Sequence, residues 1–174
     1  MVIRADFVQE KLAKSEEWMS VIKLANSFES HMSEKSVAAR ISKANQPGSS
    51  SSLIQAVLLE HATKLGFRNE ALGLFKSYKN RGLRPDYFLS LGDTGVILEI
   101  ERGKTNQNNM DFLDFWKCHI CKHAHYLFLM VPRELKQRTN GAVSKPFNTT
   151  RSHLSAFFEE GNYTNVRGLV LFGY

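Results

Sequence analysis

Six consecutive apolar residues, Tyr126 to Val131, end at Pro132. A run this short and uniformly apolar, closed by a strand breaker, reads as a β-strand buried on both faces. Such a strand needs covers on both sides of its sheet, and the chain offers helices to supply them. Leu53, Ile54, Val57, Leu58 and Leu65 recur at helical spacing ahead of Gly66. Residues 109–123 repeat the pattern, with Phe112, Leu113, Trp116 and Ile120 along one face. Asp111 and Asp114 suit the positive N-terminal end of that helix. Residues 152–160 read as a further helix and 166–172 as a last strand.

Upstream, residues 5–44 read as helix, because Phe7, Val8, Leu12, Trp18, Met19, Ile22, Leu24 and Phe28 recur at roughly helical spacing, followed by Val37, Ala38 and Ile41. Asn45-Gln46-Pro47-Gly48 and the serines 49–52 break this pattern. The chain therefore divides into a helical N-terminal segment, 1–48, suited to dimerisation or DNA contact, and an α/β core, 49–174. Residues 70–80 read as one more short helix.

Composition narrows the class. A hydrophobic content of 43% with 12 Phe fills a real core in 174 residues. The net charge of +6 suits a polyanionic partner such as nucleic acid. Two cysteines give no disulfide framework. No apolar run approaches the ~18 residues of a membrane span, and the charged first residues lack the apolar stretch of a secretory signal. The expectation is a cytoplasmic protein.

The chemistry lies between the helices. Tyr87-Phe88-Leu89 and Val96-Ile97-Leu98 have strand character, and Gly92-Asp93-Thr94-Gly95 between them signals a hairpin. Asp86 precedes the first strand, and Glu99 and Glu101 end the second. Side chains alternate along a strand, so Glu99 and Glu101 share a face with Ile97, while Val96, Leu98 and Ile100 share the other. A two-residue loop puts Asp86 opposite Glu99, and a four-residue loop puts it opposite Glu101. Either register gathers the three carboxylates on one face, with neighbouring Cβ atoms ~5 Å apart. Carboxylates this close repel one another, and a divalent cation relieves the repulsion. A cation so held suits metal-assisted phosphodiester cleavage. Lys76, Lys79, Arg81 and Arg84 lead into the cluster and Arg102 and Lys104 leave it, where they could neutralise phosphates.

Pro85-Asp86, followed after twelve residues by Glu99-X-Glu101, resembles the core of the PD-(D/E)XK nuclease superfamily. The likeness covers roughly residues 50–132, and the order helix, hairpin, helix, strand is similar too. It implies the restriction-endonuclease-like fold, a mixed β-sheet flanked by helices, and a metal-dependent DNA endonuclease of restriction or repair type. Asp86 and Glu99 would bind the metal. Glu101 would occupy the place usually held by lysine, as in some restriction enzymes of the superfamily. Glu60, from the helix before the hairpin, would be a further metal ligand, and Lys104 an auxiliary group at the scissile phosphate. Arg81, Arg84 and Arg102 would contact DNA. The cofactor would be Mg²⁺, with Mn²⁺ able to substitute, and the substrate double-stranded DNA, cut to 5′-phosphate and 3′-hydroxyl ends by a homodimer.

Two other readings compete. The glutamate at the lysine position fits a DNA-binding module that keeps the nuclease fold without catalysis. The stretch Lys117 to His125 holds one CxxC, Cys118 and Cys121, and three histidines, a donor set zinc would accept in a small structural domain.

Overall fold

The structure, a computed structural model, describes residues 2–69, 84–103, 109–136 and 141–174. At its centre is the strand β5 (Tyr126–Val131), every residue of which is buried. It runs parallel to β4 (Thr94–Ile100) on one side and β8 (Gly168–Gly173) on the other. Alternation along these strands feeds two cores. Leu98, Tyr126, Phe128, Val170 and Phe172 face one way, and Ile97, Leu127, Leu129 and Leu171 face the other. That is why the run 126–131 shows no polar position.

Five helices cover the sheet among the described residues. Helices α1 (Glu16–Ser33), α2 (Lys35–Ala44) and α3 (Ser51–Lys64) pack on the first face through Phe28, Met32, Ile41, Ile54 and Leu58. Helices α4 (Met110–Ile120) and α5 (Pro146–Ser155) pack on the second through Phe115, Phe147 and Leu154. The steps β4–α4–β5 and β5–α5–β8 move in the same direction across the sheet, so both connecting helices fall on one face. Phe28 is fully buried and meets Phe67 and Phe128 edge-on, at ring separations of 5.6 and 6.0 Å. Each such pair contributes roughly 0.5–1.5 kcal/mol beyond burial. No described helix is long and apolar enough to cross a membrane.

The sheet is completed by β1 (Ile3–Val8), β2 (Arg68–Asn69) and β3 (Tyr87–Leu91), in the order β1-β8-β5-β4-β3-β2. The first of these corrects the helix expected over residues 5–44. Residues 3–8 are a strand, paired antiparallel with β8 from Ile3 opposite Gly173 to Val8 opposite Gly168. Long-range backbone pairing here outweighs a local spacing of apolar residues that suited a helix equally well. Helix α1 begins only after Ser15, whose Oγ accepts the Trp18 N–H at 3.1 Å. Residues 2–48 thus give the sheet an edge strand and share a core with the later helices. A two-stranded ribbon, β6 (Leu135–Lys136) and β7 (Val143–Ser144), precedes α5, which starts at Pro146, earlier than residue 152.

Candidate active site

The hairpin resolves the choice of register. Tyr87 pairs with Leu98 and Leu91 with Thr94, leaving Gly92-Asp93 as a two-residue loop. Gly92 takes a φ of +63°, which this kind of loop needs at its first position and glycine adopts without strain. Gly95 lies so close to its neighbours that a Cβ there would fall 2.5 Å from the Leu89 carbonyl oxygen. Continuing the register places Asp86 opposite Glu99. The two are joined directly. The Asp86 N–H donates to Glu99 Oε2 at 3.2 Å, and the Ile100 N–H donates to Asp86 Oδ2 at 2.9 Å.

A fourth carboxylate and a lysine come from α4. Lys117 Nζ donates to Glu99 Oε1 and to Asp114 Oδ1, both at 2.9 Å, and all three side chains are buried. Among the described residues, buried Asp114 Oδ2 has no hydrogen-bond partner. Asp111, one turn earlier, anchors α4 to α5, receiving His153 Nδ1 at 2.8 Å and the Thr150 hydroxyl at 3.4 Å. This corrects the expected facing of α4. Leu113 and Trp116 point outward, 37% and 51% exposed, while Asp111, Asp114 and Lys117 are buried. Charged residues occupy the inner face because each finds an oppositely charged or hydrogen-bonding partner there.

Glu101, two residues beyond Glu99, is half-buried on the same side. It continues the ladder through its N–H to the Met130 carbonyl at 2.9 Å. Burial pushes its carboxyl up to about 7, helped by Asp114 and Asp86 and opposed by Lys117. Glu99 is raised well above the usual range by burial and by Asp114, against Lys117. Asp114 is raised by burial, against Lys117. Burial raises Asp86 as well, opposed by the Ile100 N–H, by Lys117 and by a hydrogen bond from Gln55 on α3. Lys117 is raised: Glu99 and Asp114 outweigh its burial and keep it charged.

Four carboxylates thus lie around one buried ammonium, which bonds two of them, and among the described residues one carboxylate oxygen has no partner. A cation placed among them would relieve that imbalance. Among the described residues, no three His, Cys, Asp or Glu side chains already converge into a finished cage. Such a cage is not what Mg²⁺ needs, since it takes one or two carboxylates and completes its shell with water and phosphate oxygens.

The other expected residues fall elsewhere. Glu60 sits on the exposed side of α3, paired with Lys64 at 2.7 Å, and the structure does not bring it to the cluster. Gln55, more than a turn earlier, is the α3 side chain that acts on Asp86. Arg84 is exposed beside Asp86. The Arg102 guanidinium is turned to the loop after α2: it donates to Asn45 Oδ1 at 3.1 Å, to the Ser49 carbonyl at 2.8 Å and to the Gln46 carbonyl. Ser49, Ser50, Glu101, Arg102 and Met110 line a cleft of about 460 Å³ beside the cluster. Arg81, Lys104 and the helix expected over 70–80 lie outside the described residues.

The cysteine–histidine stretch is spread over several partners. α4 ends at Ile120, so Cys121 and His123 leave the helix. Cys118 Sγ donates to the Ala124 carbonyl at 3.7 Å, and burial pushes its thiol well up, away from the thiolate zinc requires. His119 bonds to Thr164, in the loop before β8, and His125 to Thr94, the first residue of β4.

Asp114, Lys117 and Gln55 are the site residues that sequence reasoning missed. A signal was present: Asp111, Asp114 and Lys117 lie at i, i+3 and i+6, flanking the apolar Phe115 and Cys118. A charged stripe of both signs running through a helix's inner face marks buried ion pairs.

No protein-family model matches this chain, and no curated protein gives a significant match to it.

Proposed function

We propose that this chain is a metal-dependent DNA endonuclease built on a restriction-endonuclease-like core. One observation carries the reading. The two-residue hairpin loop sets Asp86 against Glu99, and Lys117 from the neighbouring helix is hydrogen-bonded to Glu99. The helix–hairpin–helix–strand order around these residues agrees with that superfamily.

Asp86, Glu99 and Glu101 would hold Mg²⁺ or Mn²⁺, with the free Asp114 Oδ2 available to a water of its shell. When bound, the cation polarises a phosphoryl oxygen and lowers the pKa of water. The protein's own groups prepare the place. Lys117 fixes the Glu99 carboxylate and supplies the positive charge absent at position 101. Gln55 and the Ile100 N–H fix Asp86. Arg84, exposed two residues before Asp86, would be free to meet a DNA backbone. Cutting both strands of a duplex calls for two copies, one site per strand. A monomeric mass with double-strand cutting retained would count against the dimer.

The assay is cleavage of supercoiled plasmid with Mg²⁺ or Mn²⁺ and then with EDTA, beside Asp86→Asn and Glu99→Ala. Metal-dependent nicking lost in both variants is the expected result. DNA binding without cutting, on duplex, single-stranded and branched substrates alike, would replace the nuclease with a non-catalytic binding module. That second reading draws support from Glu99, both of whose oxygens are already engaged.

A further inference from the structure

Arg102 looks from the sequence like a phosphate contact. Its surroundings point to a different task. The guanidinium presents three N–H groups to three oxygens of the 45–49 loop. That fork geometry belongs to arginine and leaves little of it to meet a phosphate. The Arg102 peptide also follows Glu101 directly, so anchoring the guanidinium anchors the backbone at Glu101. On the other side, the Tyr174 hydroxyl donates to the Glu101 carbonyl oxygen. Tyr174 is itself fixed, its N–H to the Val131 carbonyl at 3.1 Å and its carbonyl receiving the Arg133 N–H at 2.8 Å. Glu101 is therefore held at its N–H, to the Met130 carbonyl, and at its own carbonyl, just past the end of β4, where a strand would otherwise fray.

We infer that Arg102 and Tyr174 are positioning residues. They clamp Glu101 in its place beside Asp86 and Glu99, and Arg102 at the same time fastens the serine-rich loop that walls the adjoining cleft. The clamp explains how a glutamate serves where the superfamily pattern has lysine: its carboxylate needs a fixed direction, and the neighbouring backbone and Tyr174 supply it. This inference rests on the nuclease reading of the site.

The test separates a clamp from a phosphate contact. The variants are Tyr174→Phe, which removes one hydroxyl, Arg102→Ala and Arg102→Lys. Affinity for a short fluorescent DNA duplex is measured against salt without divalent metal. Mn²⁺ binding to the protein alone is followed by electron paramagnetic resonance, and cleavage is titrated with Mg²⁺. The clamp predicts an unchanged salt slope for all three variants. It also predicts a Mg²⁺ requirement and a Mn²⁺ dissociation constant raised roughly three- to tenfold in Tyr174→Phe, the worth of one hydrogen bond, and raised as well in Arg102→Ala, which unties the backbone after Glu101 from the 45–49 loop. Lysine at 102 does not rescue, because a single ammonium cannot hold three acceptors in that fork. A salt slope lowered by about one in Arg102→Ala assigns the residue to phosphate and overturns the inference. So does an unchanged metal requirement in Tyr174→Phe, which remains decisive if the Arg102 variants fail to fold. A parent chain that binds no Mn²⁺ overturns the nuclease reading along with the clamp, whereas a metal-binding parent with unaltered variants overturns the clamp alone.

Discussion

Replacing Lys117 by methionine tests the electrostatics of the site directly. Methionine keeps the length of the buried stem and removes only the ammonium. That ammonium lies 2.9 Å from Glu99 and 2.9 Å from Asp114, whose side chains are 1% and 0% exposed. Removing one partner of a buried pair costs about 3–5 kcal/mol, because the charge left behind has neither water nor a counter-ion. Here two carboxylates are left behind, so the upper half of that range applies. For a chain of this size the loss corresponds to a fall in Tm of roughly 10 °C.

The sign of the pH dependence follows from the same groups. Glu99 and Asp114 already carry raised pKa values, and without Lys117 they rise further. A carboxyl whose folded pKa is raised keeps its contribution below the unfolded value and loses it as pH climbs through the folded value. The variant's deficit is therefore small near about pH 5 and full near about pH 8. Urea denaturation at both pH values, in EDTA and in saturating Mg²⁺, measures it. Saturating Mg²⁺ restores much of the stability at the higher pH. The double variant Lys117→Met with Glu99→Gln recovers part of the loss, since one of the stranded charges is gone. A loss below about 1 kcal/mol at the higher pH, or an equal loss at both, would refute the buried ion network.

Three further outcomes are expected. In the metal-free parent, Glu101, with a pKa of about 7, makes a contribution present below its unfolded value of 4.5 and lost as pH rises through about 7, worth roughly 1–2 kcal/mol after allowance for its partial exposure. Glu101→Gln removes that part of the pH dependence, and an identical stability–pH curve for parent and variant would contradict the shift. Gly95→Ala destabilises the hairpin by roughly 2 kcal/mol or more, because its Cβ would meet the Leu89 carbonyl oxygen and the Phe88 ring; a melting curve matching the parent's would show that the turn relaxes freely. Glu60→Gln leaves the Mg²⁺ requirement of cleavage within about twofold, while Gln55→Ala raises it about three- to tenfold by removing a hydrogen bond to Asp86. The reverse order would put Glu60 back at the metal.

Local rules carried most of the sheet's central pattern. The apolar run 126–131, the glycine-marked hairpin and the face shared by Glu99 and Glu101 depend on neighbours in sequence, and the structure has all three. Strand β1 was not legible, because its identity depends on β8, more than a hundred residues away. The inward side of α4 was misread for a related reason. Apolar periodicity assumes that charge seeks water, but Asp111 finds partners on α5, Lys117 finds Glu99 on β4, and Asp114 finds Lys117 one turn along its own helix.

That failure bears on the departure at position 101. Set beside the superfamily pattern on which the proposed function rests, the strand has a glutamate at 101 where that pattern has lysine. Read across the fold, an ammonium reaches Glu99 from the adjacent helix, eighteen residues on. A strand lysine and a helix lysine are interchangeable to a carboxylate that needs only a buried positive charge at hydrogen-bond distance. Strand spacing therefore constrains the acids, which must share a face, far more tightly than it constrains the cation. It follows that position 101 is free to hold a glutamate only while Lys117 holds the charge. Restoring lysine at 101 and removing it at 117, in Glu101→Lys with Lys117→Met, should retain more cleavage than Lys117→Met alone. Equal loss in the two would show that the position of the cation on the helix, and not merely its charge, is required.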